Sequence, residues 1–398
     1  MSINHHIVVL GGGYAGTNCT IRLARRLRGR EDVHITLVNP SPRFTERLRL
    51  HQLAAGHLLT EHRFADLLED TGVEFVCGEA TAIDTEARQV SADALGQRRT
   101  LSYDTLVYAL GSATETYRVP GVDQHAHTIN SPQQAARLGR RLAGLAAGSA
   151  VAVCGGGLTG VETAAEIAEA YPALRVSLVS RGEPAAVMGE RARAYVRGAF
   201  DRLRVSVHLG TITKVLPDAI ELRGGELVAA DLTLWTGGVR VPSLAAESEI
   251  DTDARGLVKV DPTLRSLTHP DTYAIGDSAA IRQAWGPLHG TCHTAMASAT
   301  HAADQIARQL RGAEPKPFRF GYFRQPVSLG RSDAIIQFTH HDDTPRRFLL
   351  TGPTAVHYKE STTSSPLKRM ARTKSTFGLL APTGTSKGGL ATRKPHPG

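Results

Sequence analysis

Two glycine clusters of one pattern, 144 residues apart, carry the most specific chemistry in this sequence. The first is Gly11-Gly12-Gly13-Tyr14-Ala15-Gly16, entered by the apolar run Ile7 to Leu10. The second is Gly155-Gly156-Gly157-Leu158-Thr159-Gly160, entered by Val151 to Cys154. Both read G-x-G-x-x-G. In such a loop the first glycine (Gly11, Gly155) permits a tight strand-to-helix turn. The second (Gly13, Gly157) lets backbone approach a pyrophosphate, and the third (Gly16, Gly160) lets the helix pack on the strand. The helix that follows offers free N–H groups and a partial positive charge to the phosphates. A second apolar run follows each predicted helix, at Ile35 to Val38 and at Val176 to Val179, which completes two β-α-β units. A chain that holds two dinucleotides can pass electrons between them. The pattern points to a flavin fed by a nicotinamide, and so to a redox enzyme.

The elements that position these loops need a large chain. With 398 residues, two or three domains and ample core are available. Hydrophobic content of 41% and charged content of 21% are ordinary for a water-exposed globular protein, and no apolar run reaches membrane-spanning length. The first predicted strand starts by about Ile7, which leaves no room for a cleavable signal peptide, so the cytoplasm is the expected location. Cys19, Cys77, Cys154 and Cys292 form no C-x-x-C pair, which argues against a zinc site and a redox disulfide. Cys19 and Cys154 lie beside the loops and read as buried small apolar residues. The net charge of +8 is local: Lys359 to Gly398 holds eight basic residues against the single Glu360, leaving +1 for residues 1–358. A nucleic-acid-binding surface on the body is not indicated.

Along the chain, further strands are predicted at Val73 to Cys77 and Leu106 to Leu110. A Thr-, Pro- and Gly-rich crossing follows at Thr114 to Ser131, then a helix within 132–148 with Leu138, Leu142 and Leu145 on one face. A hairpin-like stretch spans Val205 to Leu227, and another strand ends at Trp235 before Thr236-Gly237-Gly238. A helix is predicted at Thr294 to Leu310. Alternation over 318–358 suggests a small β-rich unit. From Lys359 onward Ser, Thr, Gly, Pro, Lys and Arg dominate, the composition of a disordered tail. The predicted fold class is α/β, with two Rossmann-like dinucleotide-binding domains, a small β-rich C-terminal domain and a disordered basic tail. The expected divisions are 1–112 with 262–315 for one dinucleotide, 113–261 for the other, 316–358 for the small domain and 359–398 for the tail.

Four segments, Val8 to Gly16, Thr105 to Gly111, Val153 to Glu162 and Tyr273 to Asp277, occur in an order that resembles the pyridine nucleotide-disulfide oxidoreductase superfamily. Within it the chain is most similar to the type II NADH dehydrogenase group. The resemblance implies that the first loop binds FAD and the second NAD(P)H. It assigns FAD contacts to Gly11, Gly13, Tyr14, Ala15, Gly16, Asn39, Arg47, Ala80, Ala109, Gly111, Gly276, Asp277 and Ala295. It assigns NAD(P)H contacts to Gly155, Gly157, Thr159, Gly160, Ser180, Arg181, Gly237 and Gly238. Gly276 would permit close backbone approach to the ribityl chain and Asp277 would accept from a ribityl hydroxyl. The helix N-terminus near Ala295 would favour negative charge on the flavin ring. Gly237 and Gly238 would let nicotinamide lie close to the flavin.

Three positions depart from the family pattern. The helix after the first loop holds Cys19 alone instead of a cysteine pair, so electrons are expected to leave from the flavin itself. Asn39 stands where a ribose-binding acid is usual. The quinone-site motif and amphipathic C-terminal helices of the group are not evident. Glu162, two residues past Gly160, resembles a glutamate of the group near the nicotinamide–flavin junction, with nicotinamide binding or proton delivery as its role. Its other reading is an acid favoured by a helix N-terminus in the first turn. Arg47 or Arg49 would pair with the pyrophosphate, and His51 reads as either a wall of the acceptor site or a solvated helix face. Ser180 is followed by Arg181, where an acid would repel a 2′-phosphate, so NADPH is expected to serve at least as well as NADH; Glu183 is a counter-signal. His340-His341-Asp342-Asp343 reads as a surface turn, and no metal site is expected. The function expected is FAD-dependent oxidation of NAD(P)H with a quinone-like or other small acceptor, with at most peripheral contact at the inner face of a membrane. The alternatives are a reductase for a redox protein or biosynthetic intermediate, and a redox-responsive binding protein that signals.

Overall fold

The computed structural model describes residues 5–373 and 390–391. The chain begins with β1 (His5–Leu10), α1 (Tyr14–Arg26) and β2 (Val33–Asn39). A short helix α2 (Leu50–Ala54) and strand β3 (Glu74–Cys77) follow. An antiparallel meander over 79–102 then leads to β4 (Thr105–Tyr108). The second unit holds α3 (Pro132–Ala143), β5 (Ala150–Cys154), α4 (Leu158–Ala170), β6 (Arg175–Ser180), α5 (Glu190–Leu203), β7 (Ser206–Leu209) and β8 (Leu232–Trp235). The chain returns to the first sheet with β9 (Thr272–Ala274) and continues into α6 (Cys292–Gln309). It then builds an antiparallel sheet of β10 (Arg324–Ser328), β11 (Ala334–Thr339) and β12 (Pro345–Thr351), and enters α7 (Gly352–Thr373).

Two five-stranded parallel sheets result. One has the order β9-β4-β1-β2-β3, and the other runs from Ala126–His127 through β8, β5 and β6 to β7. Helices cover both faces of such sheets, which is why their strands are apolar runs without alternation. Ile7, Val8, Val9 and Leu10 are wholly buried, as are Val151, Ala152, Val153 and Cys154. Burying a large aliphatic side chain contributes about 1.5–3 kcal/mol, so each central strand anchors the loop at its end. The stretch read as a hairpin over 205–227 divides instead: Ser206–Leu209 joins the parallel sheet, and an antiparallel sheet over 212–229 follows.

Helices start and pack for legible reasons. Ser131 caps α3 by accepting from the Gln134 N–H, with Pro132 at the first helical position, where its missing N–H costs nothing. Thr291 and Thr294 form a reciprocal capping box at the start of α6. Helix α6 crosses α1 on buried small residues, among them Ala295, Ala299, Ala302 and Ala303. Asn18 donates to the Met296 carbonyl and to Thr300 (both 3.0 Å), and Arg22 makes two 2.8 Å bonds to Asp304.

The expectation of a disordered tail from Lys359 fails for its first part: the chain is helical through Thr373. Ala355, Thr363 and Met370 are buried, and α7 packs on α1, β10 and β11. Thr362 and Thr363 hydroxyls donate back to the Tyr358 and Lys359 carbonyls. Pro366 cannot donate to the Thr362 carbonyl, and the Ser365 hydroxyl takes that role at 2.8 Å. The local composition disfavours helix, and tertiary burial overrides it. Leu390–Ala391 pairs with Arg319–Phe320; the rest of the tail lies outside the described residues.

Candidate functional site

The first glycine loop has the geometry that a pyrophosphate cradle requires. Gly11 has φ +97°, and a Cβ there would lie 2.4 Å from the Ala109 carbonyl oxygen; a Cβ on Gly16 would lie 1.7 Å from the Gly11 carbonyl oxygen. Both glycines are fixed by the turn itself. A Cβ on Gly13 would meet nothing within 4 Å, so this glycine faces open space at the start of α1. Asn39 works first as a brace: its Oδ1 accepts from the Gly12 N–H (2.8 Å) and its amide donates to the Ser41 carbonyl (2.8 Å). One lone pair and one amide hydrogen remain for a ribose. Tyr14 is buried with its ring edge-on to Phe44. The Gly78 N–H bonds the Asn39 carbonyl (3.0 Å), which starts the meander strand bearing Ala80 beside the end of β2.

Residues distant in sequence close this end of the first sheet. A Cβ on Gly276 (φ +69°) would lie 3.0 Å from the Ala15 Cβ and 3.8 Å from the Ala295 Cβ, so Ala15, Gly276 and Ala295 form one close junction. Asp277 Oδ2 accepts from the Ser112 hydroxyl (2.8 Å), and the Ser112 carbonyl accepts from the exposed Arg47 guanidinium. A Cβ on Gly290 would lie 2.5 Å from Asp277 Oδ1, so backbone crowds this carboxylate. Gly111 has φ +69° and open space beside it. Arg49, the alternative pyrophosphate partner, is committed elsewhere: it pairs with Glu46 and Glu360 and donates to Ser364.

The second loop repeats the design. Gly155 has φ +125°, and a Cβ on Gly160 would lie 1.9 Å from the Gly155 carbonyl oxygen and 2.9 Å from Thr236 Oγ1. Gly157, like Gly13, faces open space, and Thr159 is exposed in the first turn of α4. Ser180 is buried against the loop, where its Oγ would lie 2.1 Å from a Cβ on Gly156. Arg181 is exposed, and the counter-signal Glu183 is held by Arg193 (2.7 Å) and Arg197. Gly238 has φ +75° and abuts Glu115, whose carbonyl accepts from the Trp235 indole (2.9 Å); Gly237 lies against the Trp235 ring. Thr236, whose hydroxyl bonds the Cys154 carbonyl, closes the turn. The open second glycine and the protein-filled first and third fit a dinucleotide at both loops. Asn39, Ala109 and the Ala15–Gly276–Ala295 junction stand beside the first loop, and Ser180, Thr236 and Gly237 beside the second.

Glu162 stands one turn inside α4, not in its first turn, so the helix terminus does not account for it. Its Oε1 accepts from Lys359 Nζ (2.6 Å), the Ser328 N–H (3.0 Å) and the Ser328 hydroxyl (3.1 Å). Burial pushes the carboxyl up, but the Lys359 ammonium and these hydrogen bonds hold it net below the usual carboxylate range. His51 is buried, not a solvated face. Burial pushes its imidazole down to about 4 despite the attraction of Glu162, so it is neutral at pH 7. Lys359 and Ser328 were invisible as site residues in the sequence, because each reaches Glu162 across more than 160 positions.

His340 and His341 sit exposed in the β11–β12 turn with Asp343 at φ +68°, and no cluster of three metal-ligating side chains occurs among the described residues. None of the four cysteines forms a disulfide; burial pushes the thiols of Cys19 and Cys154 up. No helix among the described residues is long and apolar enough to cross a membrane.

Comparison with known proteins agrees with this geometry. The model of the pyridine nucleotide-disulphide oxidoreductase family matches residues 5–305. An NADH dehydrogenase-like protein of Mycobacterium tuberculosis is 31% identical over 357 residues, covering 83% of this chain and 86% of the relative. A type II NADH:quinone oxidoreductase of Staphylococcus epidermidis is 28% identical over 365 residues, covering 83% and 88%. The sulfide:quinone oxidoreductase of Aquifex aeolicus shares the fold with a TM-score of 0.80 at 20% identity, over 99% of this chain and 98% of that one. The chain belongs to the pyridine nucleotide-disulphide oxidoreductase family, as an FAD- and NAD(P)H-dependent oxidoreductase of the type II NADH dehydrogenase-like kind.

Proposed function

We propose that this enzyme is an NAD(P)H:quinone reductase in which FAD lies along the first loop toward Asp277 and NAD(P)H along the second toward Gly238. Residues 1–112 and 262–315 hold the FAD, and 113–261 hold the NAD(P)H. Bound FAD supplies two-electron redox chemistry between nicotinamide and acceptor. The chain's own part is placement. Gly13 and Gly157 admit the pyrophosphates, Asp277 and Ser112 hold a polyol, and Gly237 and Gly238 leave room for a flat ring. Glu162, with Lys359 as its counter-ion, is an ionisable group on the helix that follows the second loop.

The observation that carries the reading is the pair of cradles in one chain together with the absence of a disulfide among the four cysteines, two of them buried beside the loops. No disulfide stands ready to receive electrons, so they pass to a small diffusing acceptor, and the quinone reductases among the relatives support a quinone-like one. Contact with a quinone-bearing membrane is peripheral in this reading. Exposed Phe348, flanked by Arg346 and Arg347, is a surface suited to such contact. The test is anaerobic reduction of the purified flavoprotein by NADH and NADPH, followed by mixing with a soluble quinone. Rapid reoxidation of flavin by quinone supports the reading. Slow reoxidation by every quinone, with fast transfer to a redox protein or a stable reduced complex, would replace it with one of the alternatives.

A further inference from the structure

Helix α4 carries Glu162, Glu166 and Glu169 on one face, spaced by four and three residues, so that their side chains form one row. Two of the three are committed. Glu162 holds Lys359 and Ser328; Glu169 accepts from the Arg331 N–H and the Ser332 N–H and hydroxyl. Glu166 is different. Its side chain is wholly buried, and neither carboxylate oxygen has a hydrogen-bond partner among the described residues. The His57 imidazole, just past α2, has Nε2 3.2 Å from Glu166 Oε1, without the alignment of a hydrogen bond, and is 42% exposed. Arg331, from the β10–β11 turn, approaches to only 3.8 Å.

The other charged groups facing this row are His51 on α2, Lys359 and Glu360 on α7, and Arg49, which is shared by Glu360 and Glu46. Carboxylates in the cluster outnumber the permanent cations Arg49, Arg331 and Lys359, so a neutral Glu166 relieves an excess of negative charge. A buried carboxyl without fixed partners, in reach of a solvent-facing imidazole and one helical turn from Glu162, is arranged to take up and release protons.

The reaction needs such a group. NAD(P)H, a proton and a quinone give NAD(P)⁺ and a quinol. The hydride brings two electrons and one proton, and both quinone carbonyls become hydroxyls, so the second proton comes from solution. We propose that Glu166 is a proton-relay residue, whose carboxyl exchanges protons with solvent through the His57 imidazole and passes them along α4 to Glu162 for quinol formation. The role rests on the quinone-reductase reading above. The electrostatics agree with it. Burial, with Glu169 and Glu162 adding and Arg331 opposing, pushes the carboxyl up to about 7, where it exchanges protons near neutral pH.

The experiment uses the FAD-loaded protein and Glu166→Gln, which keeps shape and polarity but cannot ionise. Ferricyanide takes electrons without protons, so it serves as the reference acceptor. The ratio of quinone to ferricyanide turnover in E166Q is expected to fall by at least about tenfold, within the range of proton-transfer effects. The fall of that ratio as pH rises from 6 to 8 should flatten as well. Glu166→Asp should restore part of the ratio, and His57→Asn should lower it. Infrared difference spectra of the oxidised protein, recorded without NAD(P)H, should show a protonated-carboxyl band that titrates near neutrality and is missing in E166Q. An unchanged ratio and pH profile in E166Q, or a titrating band that persists in it, overturns the relay. If E166Q does not retain FAD, His57→Asn and the wild-type infrared titration decide the matter: no titrating band and no change in ratio overturn it. A wild-type protein that reduces ferricyanide but no quinone refutes the quinone reading instead, and the infrared titration still reports on Glu166.

Discussion

The two glycines at the second loop can be separated by one methyl group each. Gly157 has φ −70° and ψ 170°, a conformation that alanine adopts freely, and its added Cβ meets nothing within 4 Å. Gly157→Ala should therefore fold normally: alanine in place of glycine as a helix cap costs about 0.5–1 kcal/mol, which the reduced freedom of the unfolded chain roughly offsets. The methyl would instead stand where the pyrophosphate approaches. Inserting a methyl into a close-packed contact costs about 1–3 kcal/mol, which converts to a roughly 5- to 150-fold loss of NAD(P)H affinity. Gly160→Ala is the opposite case. Its Cβ would lie 1.9 Å from the Gly155 carbonyl oxygen, against an ordinary contact beginning at 3.4 Å, so backbone must move before any ligand arrives. This variant should lose thermal stability as well as binding. The assay is NADP⁺ titration of the flavoprotein by flavin fluorescence, beside thermal melts and FAD release on denaturation. G157A should keep its FAD and melting temperature while binding weakens. If G157A binds NADP⁺ and NAD⁺ as tightly as the parent, the pyrophosphate does not lie over this glycine and the reasoning is wrong.

Other perturbations follow from the same contacts. Arg181 is exposed at the end of β6 and Glu183 is occupied by Arg193 and Arg197, so Arg181→Ala should raise KM for NADPH more than for NADH; equal changes would remove its role in 2′-phosphate recognition. Lys359→Met leaves Glu162 without its cation in a buried site and should destabilise the protein by about 3–5 kcal/mol. Termination after Tyr358, which also removes Glu360 and most of α7, should cost at least as much in urea unfolding and is not expected to leave a competent enzyme; full stability of either variant would show that the pair is idle. Glu166, raised from an ordinary 4.5 to about 7, binds a proton in the folded state that the unfolded chain has released. Its contribution is therefore intact below about pH 4.5 and declines as pH rises to 7, by of order 3 kcal/mol. The lowered Glu162 has the opposite sign, stabilising above pH 4.5 and fading as pH falls below it. Unfolding free energies at pH 5 and 7.5 should thus differ more in the wild type than in Glu166→Gln, and equal differences would sink the argument.

The two cradles were legible in the sequence because each is a local device. Turn, open glycine, tight glycine and helix N-terminus all fall within six residues of an apolar strand, so spacing alone identifies Gly11 to Gly16 and Gly155 to Gly160. Asp277 with Ala295, and Gly237 with Gly238, were found by their resemblance to family segments, and the junction of Ala15, Gly276 and Ala295 could not be read from local spacing. The place of Glu162 after Gly160 marks it in the sequence, but its environment is not encoded there. Its partners Lys359 and Ser328 arrive from α7 and β10, and the composition around the lysine is that of a disordered tail. Composition sets what a segment prefers in isolation; it is silent on a surface prepared elsewhere to receive it. Thr363 and Met370 become core residues only because α1, β10 and β11 leave a face to cover. His51 looked like part of a polar helix face and is buried because α2 lies against α4. The row of Glu162, Glu166 and Glu169 was fixed by helical periodicity once α4 existed. That Glu166 alone lacks a hydrogen-bond partner, while an exposed imidazole stands 3.2 Å away, was decided by packing of α2 and the β10–β11 turn against that helix. Local backbone chemistry repeats wherever its short motif occurs, whereas the ionisation of a buried side chain depends on charges brought in from remote parts of the chain.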